Sequence, residues 1–176
     1  MKKLWLLLGM VLVISGCSKD VSLEKHSDQI LDAGFDTFIQ LVAYTQSEEE
    51  YEKYLSLTKE TFQYYNAMFD RYHEYEGMNN VKTINDNAGK QAVKVDPELI
   101  ELLIKTKEYS QLSEGRYDVS FGAVLEVWHK YRENATEKGE IAIPSIDELN
   151  EAKMHTGWDK VEIDEAAQTV YIHDPL

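Results

Sequence analysis

Cysteine is almost missing from this chain: Cys17 is the only one. That excludes an intrachain disulfide, thiol catalysis within a folded domain and a thiolate metal site. Long apolar runs are missing too, since Leu4 to Ile14 is only eleven residues, against the roughly 20 that a membrane-spanning helix needs. Positive charge is scarce, with 18 Lys and Arg against 32 Asp and Glu and a formal charge of −14. Such a surface repels nucleic acid and anionic headgroups, so no nucleic-acid partner is expected. There is no G-x-G-x-x-G, no P-loop, no G-x-S-x-G elbow and no histidine pair at helical i, i+4 spacing. His26, His73, His129, His155 and His173 are scattered without ligand spacing, which suits surface or half-buried side chains better than a metal centre. The carboxylates are too many to single out a catalytic pair.

What is present begins at the N-terminus. Lys2 and Lys3 precede the apolar run, which ends in Ile14-Ser15-Gly16-Cys17. This is the layout of a secretory signal, and a sole cysteine at that spot resembles a bacterial lipobox. The expectation is a signal peptide over residues 1–16, lipidation of Cys17, and an extracytoplasmic protein anchored to the cell membrane by its acyl chains. Loss of residues 1–16, with their two lysines, takes the charge from −14 to −16. Residues 17–29, polar and aperiodic, read as a linker. The 160 residues from Cys17 onward suffice for one domain with a core, placed at residues 30–176.

Along that domain, residues 33–44 (AGFDTFIQLVAY) read as a strand. Ser47-Glu48-Glu49-Glu50 places carboxylates on the first turn of a helix, where its dipole favours them. Tyr51, Tyr54, Leu55, Thr58, Phe62, Tyr65 and Phe69 then recur at spacings of three and four, one stripe of a long helix. Residues 73–92 read as loop, and Val93 to Val95 as a short strand. Asp96 and Pro97 open a second helix with Leu99, Leu102, Leu103, Thr106, Tyr109 and Leu112 on its inner face, closing near Gly115. Val124, Leu125, Trp128 and Tyr131 give the inner face of a third, and residues 133–142 read as polar loop. Ser145 to Glu148 has capping-box spacing for a fourth. Lys160 to Asp164 and Gln168 to His173 alternate about a turn as a hairpin. The class is α+β, an antiparallel sheet covered by helices.

The junction SEGRYDVS, residues 113–120, carries the densest turn chemistry. Gly115 permits positive φ, and Ser120 is placed to N-cap a helix starting near Phe121. Amides at a helix entrance carry partial positive charge and can hold a phosphate in an otherwise acidic protein. Arg116 adds a cation and Tyr117 a ring face. An ordinary C-cap followed by an N-cap accounts for the same residues, and the spacing names no ligand.

SEGRYDVS, followed by Gly122 and by Leu125 to Trp128, resembles the S-x-G-x-(Y/F/M)-D-(V/I)-(T/S)-x-G-P-L-x-x-L-W signature of ApbE-type flavin transferases. Phe35-Asp36-Thr37 is similar to the family's M-G-T, Phe69-Asp70-Arg71-Tyr72 to its M-S-T-Y, and Thr83-Ile84-Asn85 to its S-x-(L/F)-N. Pro144, Gly157 and Val161 to Asp164 follow its P…G…V-x-x-D order. The resemblance implies FAD as donor, a target flavoprotein whose Ser or Thr accepts FMN through a phosphoester, magnesium at the pyrophosphate and AMP as leaving group. It places Phe35, Tyr72, Arg116, Tyr117 and Asp118 at the FAD site and nominates no catalytic residue. Phe35-Asp36 departs from Met-Gly, Arg116 from a small residue, and Ala123-Val124 from Pro-Leu. The family's D-x-G-G-x-x-K-G strand and its magnesium-binding alanine, aspartate and threonine have no match up to Leu176. The resemblance therefore covers the family's first half, its sheet incomplete at the C-terminus, with the magnesium ligands expected beyond. Residues 17–176 alone are then expected to give no turnover. Two rivals are a non-catalytic flavin-binding lipoprotein and a poorly folded remnant with an unpaired strand edge near Tyr171.

Overall fold

A computed structural model describes residues 22–175. Residues 1–16, expected as a signal segment, Cys17 and the start of the expected linker lie outside the described residues. Two compact units divide the chain, one reaching Thr61 and the other starting at Phe62.

In the first unit, β1 (Glu24–Ile30) pairs antiparallel with β2 (Ile39–Thr45), with Glu24 opposite Thr45 and Ile30 opposite Ile39. Both differ from the reading above. The stretch expected as linker carries β1, whose side chains are exposed except for half-buried His26 and buried Ile30; with no apolar alternation of its own, it owes its extension to the ladder with β2. The strand expected from residue 33 starts at Ile39, because Gly34 sits at φ 92 and the chain bends there. α1 (Glu48–Phe69) starts as the acidic run requires: Ser47 Oγ accepts the Glu50 amide at 3.2 Å and Glu50 Oε2 accepts the Gln46 amide at 2.8 Å. Tyr51 is buried with its ring stacked on His26 at 4.9 Å.

The second unit is built on a three-stranded antiparallel sheet in the order β3 (Val93–Lys94), β5 (Thr169–Ile172), β4 (Val161–Asp164). The C-terminal hairpin is thus present, with Val161 opposite Ile172 and Asp164 opposite Thr169. Tyr171 lies on the central strand rather than an edge strand: it pairs with Glu162 of β4, and β3 pairs with the neighbouring Thr169 and Val170 on the other side. Met68, Ile84, Val93, Val95, Leu99, Ile100 and Val170 form the core, with Tyr65 and Phe69 against it. Burying side chains of this size contributes about 1.5–3 kcal/mol each, which is why the last turns of α1 pack here.

α2 (Val81–Asp86) replaces part of the expected loop. Its cap is Asn80, fully buried: Oδ1 accepts the Thr83 amide at 3.1 Å, while Nδ2 donates to the carbonyls of Ala67 at 3.0 Å and His73 at 2.9 Å. α3 (Pro97–Leu112) opens as expected, with Asp96 Oδ1 accepting the Glu98 amide at 2.9 Å. Tyr64 donates to the other Asp96 oxygen at 2.9 Å, a bond that pushes its phenol up to about 12. The inner face of α3 is Leu99, Ile100, Thr106 and Ser110, whereas Leu102, Tyr109 and Leu112 are exposed. Ile100 joins Leu99 in the sheet-side cluster, with Leu103 packed against it, which turns Leu102 and Leu112 outward. α4 (Gly122–Glu133) runs into one π turn, Asn134–Lys138, where loop was expected. α5 (Ile146–Lys153) is capped by Ser145, which accepts the Glu148 amide at 3.2 Å. The class expected from the sequence, α+β with antiparallel pairing, is the one found.

Candidate functional site

The α3–α4 junction is a tight backbone turn. Glu114 N–H donates to the Gln111 carbonyl at 3.1 Å and Gly115 N–H to the Ser110 carbonyl at 2.8 Å, with φ of 55 and 77 at the two residues. This is the double-bonded helix ending that favours left-handed residues. Ser113 Oγ then accepts the Tyr117 amide at 3.0 Å, and Asp118 Oδ1 accepts the Ser120 amide at 2.8 Å. The side chain of Arg116 is 84% exposed, 4.0 Å from a Glu114 oxygen, and Tyr117 is 45% exposed. The three expected site residues Arg116, Tyr117 and Asp118 therefore sit on one short, outward-facing segment.

Ser120 is not the cap expected. The N-cap position of α4 is Phe121, without a side-chain cap, and the Ser120 hydroxyl instead accepts the Gly157 amide at 2.8 Å. Tying the junction to residue 157 uses the one side-chain acceptor that could have closed the helix entrance, so the first amides of α4 have no side-chain partner there. Val124 is buried as expected, but Leu125 and Trp128 are exposed. Tyr131 explains the rotation, since its hydroxyl donates to Glu148 of α5 at 2.8 Å and turns that face of α4 toward α5.

A second turn, residues 70–75, carries Tyr72. Asp70 stands at the end of α1 with its side chain 11% exposed. Its Oδ1 accepts the amides of Tyr72 at 2.6 Å and His73 at 3.3 Å; Oδ2 accepts the Tyr75 hydroxyl at 2.9 Å and lies 2.8 Å from His73 Nδ1. Burial alone would raise this carboxyl, but the amide and side-chain hydrogen bonds outweigh it and hold it down at about 2. Tyr72 is 58% exposed, and the Arg71 guanidinium carbon lies 4.6 Å from its ring centroid. Beside this turn opens a cleft of about 350 Å³ bordered by Glu74, Tyr75, Met78, Asn79, Thr83 and Asp86.

Tyr72 and residues 116–118 lie in the same unit, but no hydrogen bond, ion pair or ring contact joins them among the described residues. Phe35, partly exposed, belongs to the bent segment before β2 in the other unit. Sequence reasoning missed Asp70, Arg71 and Asn80. Asp70 could have been found as an aspartate directly ahead of an exposed turn, where it accepts the next free amides; Asn80 three residues before Thr83 is a capping box. Among the described residues no group of three His, Asp or Glu side chains is arranged to hold a metal ion.

The model of the ApbE family matches residues 35–175 of this chain. Two curated relatives, each named FAD:protein FMN transferase, are 22% identical to it: one from Chlamydia muridarum over 112 residues, 64% of this chain and 34% of the relative, and one from Chlamydia trachomatis serovar D over 134 residues, 76% and 37%. The crystal structure of the ApbE protein of Thermotoga maritima covers 85% of this chain at TM-score 0.64 and 22% identity, using 45% of its own length. The apo flavinyl transferase ApbE of Pseudomonas stutzeri covers 88% at TM-score 0.64 and 14% identity, using 46%. The chain thus spans about a third of the length of these curated relatives and under half of the solved structures.

Proposed function

This chain belongs to the ApbE family, and from that premise we propose that it forms the flavin-nucleotide-binding portion of an FAD:protein FMN transferase. The observation that carries the reading is the junction at residues 113–120: the family's segment falls on an exposed turn whose following helix entrance lacks a side-chain cap. Partial positive charge there suits a phosphate, and the Tyr117 and Tyr72 rings suit a flavin or adenine face, each such pairing contributing about 0.5–1.5 kcal/mol beyond burial.

The reaction class is phosphoryl transfer. A Ser or Thr hydroxyl of a target flavoprotein attacks the FMN phosphorus of FAD, a new O–P bond forms, the pyrophosphate P–O bond breaks and AMP departs, with the hydroxyl proton passing to solvent. Such transfer depends on positioning and on neutralising charge. We assign magnesium, which the family's chemistry uses at the pyrophosphate, no ligand within residues 22–175 and derive no step through it.

The test is flavinylation of an acceptor flavoprotein by the protein that carries this chain, read as covalent flavin fluorescence on the acceptor. Transfer is expected, and it should weaken for Tyr72→Ala and Tyr117→Ala. Tight FAD binding that these variants abolish, with no transfer by the wild type, would favour a flavin-binding role without chemistry. Absence of both would sink the proposal. We also propose a lipid anchor at Cys17, outside the described residues; metabolic labelling with a radioactive fatty acid should be lost in Cys17→Ser, and equal labelling of both chains would remove the anchor.

A further inference from the structure

Among the described residues Lys53, Lys59, Lys82, Lys105 and Lys160 each lie within ion-pair distance of an Asp or Glu, whereas Lys25, Lys94, Lys107, Lys130, Lys153 and Arg71 do not. What sets Arg71 apart is the aromatic ring its guanidinium rests on. Its only interaction among the described residues is with the face of Tyr72, 4.6 Å away. The carboxylate next to it in sequence, Asp70, is turned to the Tyr72 and His73 amides, the His73 ring and the Tyr75 hydroxyl. The turn therefore holds a guanidinium against a ring while withholding the neighbouring anion from it. A stacked guanidinium keeps its edge N–H donors free, and that planar fork matches the oxygens of a phosphate.

We propose that Arg71 is a phosphate-binding residue of the flavin site, its edge donating to a phosphate oxygen of the nucleotide while its face rests on Tyr72, and that Asp70 is the positioning residue that fixes this pair. The assignment rests on the reading of this chain as a flavin-nucleotide binder. Its physical logic is local. The net charge of −14 repels an anion at long range, and a cation without an ion-pair partner offsets that repulsion locally. Arg71 is half-buried, which limits its freedom before the ligand arrives. Tyr72, more than half exposed, has ring surface left for the ligand's flat part.

The experiment titrates the complete chain with FAD, FMN and riboflavin, followed by flavin fluorescence, in wild type, Arg71→Met, Arg71→Lys, Tyr72→Ala and Asp70→Asn. Arg71→Met should weaken FAD and FMN about tenfold, as expected for one charge-assisted contact, and leave riboflavin, which has no phosphate, within about twofold. Arg71→Lys should restore part of the loss as a point charge. Tyr72→Ala should weaken all three ligands. Asp70→Asn should weaken FAD and FMN and speed amide exchange at Tyr72 and His73, with unchanged far-ultraviolet dichroism showing that it is folded. FAD bound equally by wild type and Arg71→Met overturns the Arg71 assignment and leaves the flavin reading standing; so does an equal loss for riboflavin, since it would make Arg71 only a stacking support. An Asp70→Asn chain with wild-type affinity and exchange overturns the positioning role. A wild-type chain that binds none of the three overturns the flavin reading, and the assignment falls with it.

Discussion

Two turns of the second unit, residues 70–75 and 113–120, each contain an aspartate that accepts an amide two residues on, yet they are held by different forces. Asp70 is nearly buried and gathers two amides, a histidine ring and a tyrosine hydroxyl. Asp118 accepts one amide, and its turn is fixed mostly by backbone bonds to the end of α3 and by the Ser120 tie to Gly157. The first turn is locked by a charge, the second by backbone conformation. The difference predicts that they fail under different insults.

The largest effect should come from Asp70. Replacing it with Ala leaves two amides and a tyrosine hydroxyl without their acceptor at the end of α1, and the expected loss is about 2–3 kcal/mol, read as a lower urea midpoint. A loss below that of Ser120→Ala would break the comparison. Acid should single out the same turn. Because folding depresses the Asp70 carboxyl to about 2, its contribution is complete above the ordinary aspartate value of about 4 and disappears as pH falls toward 2. Wild type should therefore lose about 1–2 kcal/mol more than Asp70→Asn over that interval. Parallel stability profiles of the two chains from pH 5 to pH 2 would contradict the charge lock.

How much of this was legible beforehand follows the same division. Elements that announce themselves by local chemistry were readable: the acidic start of α1, Asp96-Pro97 at α3, Ser145 at α5 and the terminal hairpin all lie where their residues place them. β1 was not, because its sequence is polar and its order comes from pairing with β2. α2 was hidden by its brevity and its Asn and Asp content, although Asn80 caps it from a wholly buried position. The inner faces of α3 and α4 were read a few residues off, since periodicity cannot tell which of two adjacent apolar stripes the sheet will cover. At the candidate site, Tyr72 and residues 116–118 are nominated by family resemblance and the structure places them on two exposed turns, whereas Asp70 and Arg71 depart from the family's M-S-T-Y and their contacts emerge only from the folded turn.

The smaller effects belong to the second turn. Ser120→Ala removes the acceptor of the Gly157 amide and should cost about 1 kcal/mol; because that tie joins the α3–α4 junction to the segment before β4, amide exchange should quicken at Gly157 and at the start of α4 together. Exchange confined to one side would mean that the bond does not couple them.

The smallest change should be a gain. Glu114 occupies the left-handed region at φ 55, a conformation costing a side-chain-bearing residue about 1 kcal/mol, and its carboxylate is 83% exposed with only a 4.0 Å approach to Arg116. So exposed a pair contributes little. Glu114→Gly should relieve the backbone cost, partly offset by the greater freedom of glycine in the unfolded chain, for a net gain of about 0.5 kcal/mol. A backbone-held turn tolerates that exchange, because its bonds to the Gln111 and Ser110 carbonyls involve no side chain of residue 114. If thermal melting instead shows a loss, the Glu114 side chain is fixing the turn through Arg116, and the contrast with the charge-locked turn at Asp70 becomes one of degree.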